Sequence, residues 1–316
     1  MSKILIIGAC GQLGTELTLK LRTLKGDDNV LATDLRSEPV KFIGDGPYEQ
    51  LDIMHPSRFN ELIDNYGIKE VYHLAAVLSA KSEQDPRFAW KLNMESLLTV
   101  LEAGKDQLEK IYWPSSIAVF GPDTPKVNTP QNTVMNPNTI YGISKQAGER
   151  WCEYYFEKYG VDVRSLRYPG LIGHKAMAGG GTTDYAVDIF HKAIAEEKYE
   201  CFLSRDAMLP MMHMDDAVKA TIGLMETPAE NVRIRSSYNL AATSFTPAVI
   251  TSEIRKHYPD FEIEYAPDFR QKIADSWPDS VDDSAARQDW GWHHQYDLKE
   301  LVEKMITGLK ESIVFN

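Results

Sequence analysis

Tyr141 and Lys145 stand four positions apart in Tyr141-Gly142-Ile143-Ser144-Lys145. On a helix that spacing sets a phenol and an ammonium on one face, one turn apart. Such a pair can take a proton from an alcohol and give it back. A free phenol with a pKa of ~10 is a poor base at pH 7, and bringing it to neutrality takes about three units, roughly 4 kcal/mol of phenolate stabilisation. A lysine beside it can supply much of that as a fixed positive charge. The string alone carries little weight, because a chain with 15 tyrosines yields about one by chance. Tyr154 with Lys158 is a second copy. Position separates them. Tyr141 opens a predicted helix capped by Asn138 or Thr139. Tyr154 lies about 20 Å further along and about 140° round that helix. It sits with Trp151, Tyr155 and Phe156, an aromatic stretch that reads as packing.

A third group fits the same chemistry. Ser116 follows an apolar strand within Pro114-Ser115-Ser116-Ile117, and its hydroxyl could orient a substrate oxygen. Taken alone, Ser115 and Ser116 are ordinary turn residues.

An alcohol that loses its proton and a hydride needs an acceptor for the hydride. Gly8-Ala9-Cys10-Gly11-Gln12-Leu13-Gly14 has the form GxxGxxG. With 20 glycines in 316 positions, chance gives roughly a tenth of such a match per chain. Its setting adds weight. It starts where the strand Ile4–Ile7 ends, and Gln12–Leu24 reads as helix. Glycine lets the backbone turn tightly and approach a pyrophosphate, while the helix start offers free N–H groups. Asp34 follows 20 residues after Gly14, at the end of the next apolar run. A carboxylate there binds ribose hydroxyls and repels a 2′-phosphate, which selects NAD. Leu35 and Arg36 adjoin it, and Arg36 pulls the other way, since a nearby arginine can accept that phosphate. Asp52-Ile53 could hold the adenine, and Leu74-Ala75-Ala76 lets the backbone come close to the cofactor. Their bland readings are a strand-end carboxylate and tight helix–sheet packing. Cys10 reads as a small packing residue.

The elements that must position these groups alternate. Short apolar runs at Ile4–Ile7, Val30–Thr33, Val71–Leu74, Ile111–Trp113 and Val163–Leu166 are separated by amphipathic stretches such as Gln12–Leu24, Pro56–Tyr66 and Arg87–Ala103. That order predicts an α/β fold, a Rossmann-type doubly wound parallel sheet with a smaller C-terminal α/β substrate lobe. The nucleotide-binding domain is expected over 1–168, with about 205–240 returning to it, and the lobe over 169–204 and 241–316. Helices are expected at Thr183–Glu197, Asp215–Met225, Pro247–His257 and Leu298–Leu309, and short strands at Cys201–Leu203 and Ser237–Leu240.

Composition narrows the class. Hydrophobic residues make up 43% of the chain, enough for a large core. The net charge of -12, without a basic cluster, argues against nucleic acid or an anionic membrane as partner. No apolar run nears the ~20 residues of a membrane span. Met1-Ser2-Lys3 runs directly into a strand, so no signal peptide is expected. Cys10, Cys152 and Cys201 form neither a disulfide framework nor a zinc spacing, which points to a reducing, cytoplasmic compartment. His213 and His293-His294 lack ligand partners at useful spacing, so no metal is expected.

Taken together, the glycine string, Asp34, Ser116, Tyr141 and Lys145 resemble the extended short-chain dehydrogenases/reductases, in family order and over nearly the whole chain. Ser116 lies 25 residues before Tyr141, as the matching hydroxyl does in the sugar-nucleotide epimerases of that family. Arg167-Tyr168-Pro169-Gly170-Leu171 resembles the strand passing the nicotinamide, which implies that Leu171 touches the cofactor. Leu78-Ser79-Ala80, Gly179-Gly180-Gly181-Thr182-Thr183-Asp184-Tyr185-Ala186, Leu209-Pro210-Met211-Met212, Ser276-Trp277-Pro278 and Asp289-Trp290-Gly291-Trp292 resemble the L-threonine 3-dehydrogenase branch. Ser116 stands where some relatives carry threonine. The resemblance implies oxidation of the C3 hydroxyl of L-threonine to 2-amino-3-oxobutanoate with NAD, by a homodimer touching through Arg87–Ala103 and Asn138–Tyr159. Thr182 and Thr183 then offer hydroxyls and N–H groups to the carboxylate, Ser79 faces the reacting carbons, and Trp277 closes on the methyl. Read without the resemblance, these are a capped loop, a loop serine and a core tryptophan. Two other functions compete: a sugar-nucleotide epimerase or dehydratase, and a non-catalytic dinucleotide sensor. No arginine set for a second diphosphate is evident, and a sensor has no use for Ser116, Tyr141 and Lys145.

Overall fold

The computed structural model describes residues 3–175, 179–195 and 197–314. Six parallel strands come from the first half of the chain: β1 Lys3–Ile7, β2 Val30–Asp34, β3 Tyr48–Gln50, β4 Ile68–His73, β5 Lys110–Ser116 and β6 Val163–Tyr168. Three more follow as β7 Gly170–Ile172, β8 Tyr199–Cys201 and β9 Leu209–His213. The last three are β10 Tyr238–Asn239, β11 Thr243–Phe245 and β12 Ile263–Tyr265. The main sheet has seven strands in the order β10-β6-β5-β4-β1-β2-β3, all parallel. Strand order reverses between β1 and β4, the switch point where ligands bind in open α/β sheets. The doubly wound α/β fold expected from the alternation is therefore present.

The helices between the first strands are α1 Gln12–Lys25, α2 Pro56–Tyr66, α3 Ser79–Ser82, α4 Pro86–Ala103 and α5 Ile140–Tyr159. Later come α6 Tyr185–Ile194, α7 Met214–Glu226, α8 Pro247–Ile254, α9 Phe269–Ala274, α10 Ser284–Trp290 and α11 Leu298–Val314. Their starts follow local chemistry. Pro56, Pro86 and Pro247 occupy first turns, where the missing N–H costs nothing. Thr139 caps α5 by accepting the Gly142 amide, so of the two expected caps the threonine serves.

Two smaller sheets lie outside the main one: β11-β9-β7, and the pair β12-β8. Apart from β7, which continues the Arg167–Leu171 segment, the three-stranded sheet has no counterpart among the expected strands. Its central strand, Leu209-Pro210-Met211-Met212-His213, is wholly buried. It lacks the alternation and β-branched residues that mark a strand. The core on one face of the main sheet gathers Leu5, Ile7, Val71, Leu97 and Ile111, and that on the other Ile4, Ile6, Leu17, Ala32 and Tyr238. A third core joins Ile117–Phe120 to α6, α8 and α11.

Candidate functional site

A cleft of about 670 Å³ opens at the switch point. Its floor begins with Gly8, whose φ of +86° a residue with a side chain rarely adopts. A Cβ on Gly8 would stand 2.9 Å from the Ala75 nitrogen, and one on Gly14 would stand 2.2 Å from the Gly8 oxygen. Both glycines are thus required for the strand–turn–helix junction itself. Gly11 caps α1 without a side-chain bond, which leaves the first-turn amides open to an anion. Gln12 Nε2 is buried and has no partner. An orphaned donor beside open helix amides fits a pyrophosphate.

The Asp34 carboxylate is held against this loop. Its Oδ2 accepts the Cys10 amide at 3.0 Å and its Oδ1 the Arg36 amide at 3.2 Å. Gly8, Cys10, Gly11, Gln12, Leu13, Gly14, Arg36, Leu74, Ala76 and Leu171 all line the cleft. Asp34, Leu35, Asp52, Ile53 and Ala75 do not. Leu35 points to solvent and Ile53 is core. Asp52 accepts the Met54 amide at 2.9 Å, and Ala75 packs into the core behind the sheet. Lys41, Lys81 and Lys175 join Arg36 and Lys145 along the wall. A basic cleft in a chain of net charge -12 suits an anionic ligand. Sequence patterning does not mark these three lysines, because scattered lysines normally read as solvated surface.

Ser116, Tyr141 and Lys145 meet at the other end of the same cleft. Ser116 ends β5, and Tyr141 and Lys145 lie in the first two turns of α5. The Gly142 Cβ would sit 2.1 Å from the Ala118 oxygen, so only glycine lets α5 press this closely on the loop behind Ser116. Lys145 is buried, and its Nζ donates to the Pro114 carbonyl at 2.5 Å. That Nζ lies 4.4 Å from the Trp113 ring centre and 5.5 Å from that of Tyr141. Burial pushes the Lys145 amine down to about 7, with Cys152 and Glu149 opposing it. Burial pushes the Tyr141 phenol up to about 12, against a hydrogen bond with Ser116.

A buried ion pair fixes this end of the site. Arg167 of β6 grips Glu149 of α5 through Nε at 2.8 Å and Nη2 at 2.7 Å. Ser115 donates to Glu149 Oε1 at 2.6 Å. Both oxygens of a fully buried carboxylate are satisfied, the condition under which such a pair is tolerated. This also separates the two serines: both border the cleft, but the Ser115 hydroxyl is tied to Glu149 and that of Ser116 bonds with Tyr141.

The substrate-side residues come from three distant segments. Ser79, Thr182, Thr183 and Trp277 all line the cleft. Ser79 begins α3 rather than lying in a loop, and is buried. Two amides of the glycine run and the one that follows it are already engaged. Asp184 Oδ2 accepts the Gly180 amide at 2.8 Å and the Gly181 amide at 2.7 Å, and Ser79 Oγ accepts the Thr182 amide at 3.2 Å. The Thr182 amide, expected as a donor to the substrate, is therefore directed inward onto Ser79. Asp184 is the one acidic residue among the described residues of the cleft wall. Tyr154 is exposed and stacks edge-on with Trp151 at 5.9 Å. The aromatic stretch packs ring on ring as expected, with Tyr155 buried and Tyr154 outward, and none of it lines the cleft.

Among the described residues no group of three or more metal-ligating side chains gathers, and no helix is long and apolar enough to cross a membrane. All three cysteines are free and buried.

Comparison with known proteins agrees with this geometry. Residues 4–241 match the model of the NAD dependent epimerase/dehydratase family. A protein of Staphylococcus saprophyticus, described as an uncharacterized epimerase/dehydratase, is 49% identical, with 98% of each chain covered. A solved partial-consensus L-threonine 3-dehydrogenase is 56% identical, covers 98% of this chain and 99% of its own, and superposes with a TM-score of 0.96. A GalE-like L-threonine dehydrogenase from Cupriavidus necator, solved in its holo form, is 55% identical over 97% of this chain and 99% of its own, with a TM-score of 0.95. With a seven-stranded parallel sheet, a glycine-lined cleft at its switch point and a family match over most of its length, the chain belongs to the NAD dependent epimerase/dehydratase family.

Proposed function

We propose that the protein is an NAD-dependent L-threonine 3-dehydrogenase, oxidising the C3 hydroxyl of L-threonine to 2-amino-3-oxobutanoate. The observation that carries this reading is a single cleft lined by Ser116, Tyr141 and Lys145 together with Ser79, Thr182, Thr183 and Trp277. The solved relatives named for the same activity support it.

Gly8, Cys10, Gly11, Gln12, Leu13 and Gly14 hold the pyrophosphate, Asp34, bonded to the Cys10 amide beside that loop, the adenosine ribose, and Arg36 the adenine end. Leu74, Ala76 and Leu171 border the nicotinamide end. Bound there, NAD supplies the hydride acceptor. Tyr141 takes the hydroxyl proton as the C3–H bond breaks. Its phenol, high in this structure, becomes a usable base when Lys145 is charged and close. Ser116 donates to the substrate oxygen and holds it against Tyr141. The hydroxyls of Ser79, Thr182 and Thr183 bind the amino-acid end, and Trp277 walls the C4 methyl.

The nucleotide-binding unit comprises 1–168 with about 205–240, and the substrate lobe 169–204 with 241–316. The working form is a homodimer in the cytoplasm. Phe88, Trp90, Ile143, Trp151, Tyr154 and Tyr159 on α4 and α5 are exposed, an apolar surface of the kind that subunit contacts cover. Sedimentation at micromolar concentration reads this directly, and a monomer there contradicts it.

The activity is tested by mixing protein, NAD and L-threonine and following NADH formation. Turnover is expected. No NADH with L-threonine, alongside turnover of a nucleotide sugar, would overturn the proposal in favour of an epimerase or dehydratase.

A further inference from the structure

We infer that Lys126 is a positioning residue for the substrate pocket, fixing the Trp277 wall through the main-chain carbonyls of Asp275 and of that tryptophan itself. The inference rests on the threonine dehydrogenase reading for its substrate, and on geometry for the rest.

Lys126 lies in the loop after β5, far in sequence from Trp277. Its Nζ donates to the Asp275 carbonyl and, at 3.1 Å, to the Trp277 carbonyl. These carbonyls stand at the end of α9. The chain keeps turning there, with Asp275, Ser276 and Trp277 amides bonded back to Gln271, Ile273 and Ala274 at 2.9, 3.1 and 3.0 Å. Pro278 then stops the turn, because it has no N–H to offer. The last carbonyls of a helix lack intrahelical donors and carry its negative end. A lysine ammonium satisfies both needs. No carboxylate forms a salt bridge with Lys126 among the described residues, so these dipoles are its neutralising partners.

The Lys126 backbone holds the other side of the same segment. Its carbonyl accepts the Asp279 amide at 2.9 Å and the Ser280 amide at 3.1 Å. The Ser280 hydroxyl accepts the Asn128 amide at 2.8 Å, and the Thr129 amide donates to the Ser280 carbonyl at 3.0 Å. One residue thus grips residues 275–280 before and after the indole. Trp277 itself is buried, lines the cleft, and belongs to the core on which Tyr141 packs. Ser116, Tyr141 and Lys145 stand on β5 and α5, which Lys126 does not contact through any of these bonds. Loosening Lys126 should therefore move the pocket wall and leave the proton-transfer groups in place.

The test compares Lys126→Met, which keeps the stem and removes the ammonium, with Lys126→Arg, which keeps a cation and several donors. For Lys126→Met the KM for L-threonine is expected to rise about tenfold with kcat within about twofold, the signature of lost uniform binding. The preference for L-threonine over 2-amino-3-hydroxypentanoate, one methylene longer, is expected to fall about fivefold as the wall yields. The KM for NAD stays unchanged, and Lys126→Arg recovers most of both losses. Unchanged KM and unchanged selectivity, with a lowered melting temperature alone, would overturn the inference. Amide hydrogen exchange over residues 275–280, measured without substrate, reads the positioning independently of activity. Faster exchange there in Lys126→Met is expected, and unaltered exchange refutes the grip. A wild-type protein inactive on L-threonine defeats the functional reading, whereas unaltered exchange defeats the role of Lys126.

Discussion

Ser79 and Thr182, 103 residues apart, join two walls of one cleft: their hydroxyl oxygens lie 3.1 Å apart, and Ser79 Oγ also accepts the Thr182 amide at 3.2 Å. Both side chains are buried. Removing the Ser79 hydroxyl strands a buried N–H, at a cost of about 1–3 kcal/mol. Ser79→Ala is expected to raise the KM for L-threonine about tenfold or more. Thr182→Val should do much the same, and the double variant should cost less than the sum, because the pair acts as a unit. Steady-state kinetics on the three variants check this. Strict additivity would show that the two hydroxyls act separately.

The Glu149–Arg167 pair makes a stability prediction. Glu149 is fully buried and bonded at both oxygens. Glu149→Ala leaves the Arg167 guanidinium charged and without its carboxylate, which costs about 3–5 kcal/mol. Urea unfolding should report that loss. A change below about 1 kcal/mol would mean that the pair contributes no more than a surface ion pair.

Acid should destabilise the fold through His73. This ring is fully buried, with Nε2 2.9 Å from Ser96 Oγ and Nδ1 unpartnered. Burial first, and the Lys145 charge second, hold its pKa down to about 3. The unfolded chain takes up that proton at a pH of about 6.5. Between the two values the unfolded state binds more protons, so stability present above pH ~6.5 is lost as the pH falls toward the folded value. His73→Asn removes the titration. Its stability should fall less steeply over that window, by up to about one proton in slope. Melting temperatures across the range compare the two, and identical slopes would contradict the assignment.

The fold was legible where elements carry a strong pattern. Gln12–Leu24 and Pro56–Tyr66 coincide with α1 and α2 within a residue, because a glycine or proline marks each boundary. The short segments were harder. β9 hides in Leu209-Pro210-Met211-Met212-His213, whose Pro and Met residues give no strand signal. α3 has four residues and no apolar stripe. In the site, Ser116, Tyr141, Lys145 and the glycine loop could be found from spacing and family order. Lys41, Lys81, Lys175 and Asp184 could not, since folding alone brings them to the cleft wall. The glycine run at 179–181 was legible as a loop, yet the inward direction of its amides depends on Asp184 and Ser79.

The central claim is that Tyr141, and not its sequence twin Tyr154, carries the substrate proton. The direct measurement is kcat for L-threonine oxidation by Tyr141→Phe and Tyr154→Phe at equal folded concentration. Loss of a positioned acid–base group costs about 100-fold to 10,000-fold. Tyr141→Phe should fall at least that far with NAD binding retained, and Tyr154→Phe should stay within about twofold. A Tyr141→Phe enzyme that turns over at the wild-type rate would contradict the account.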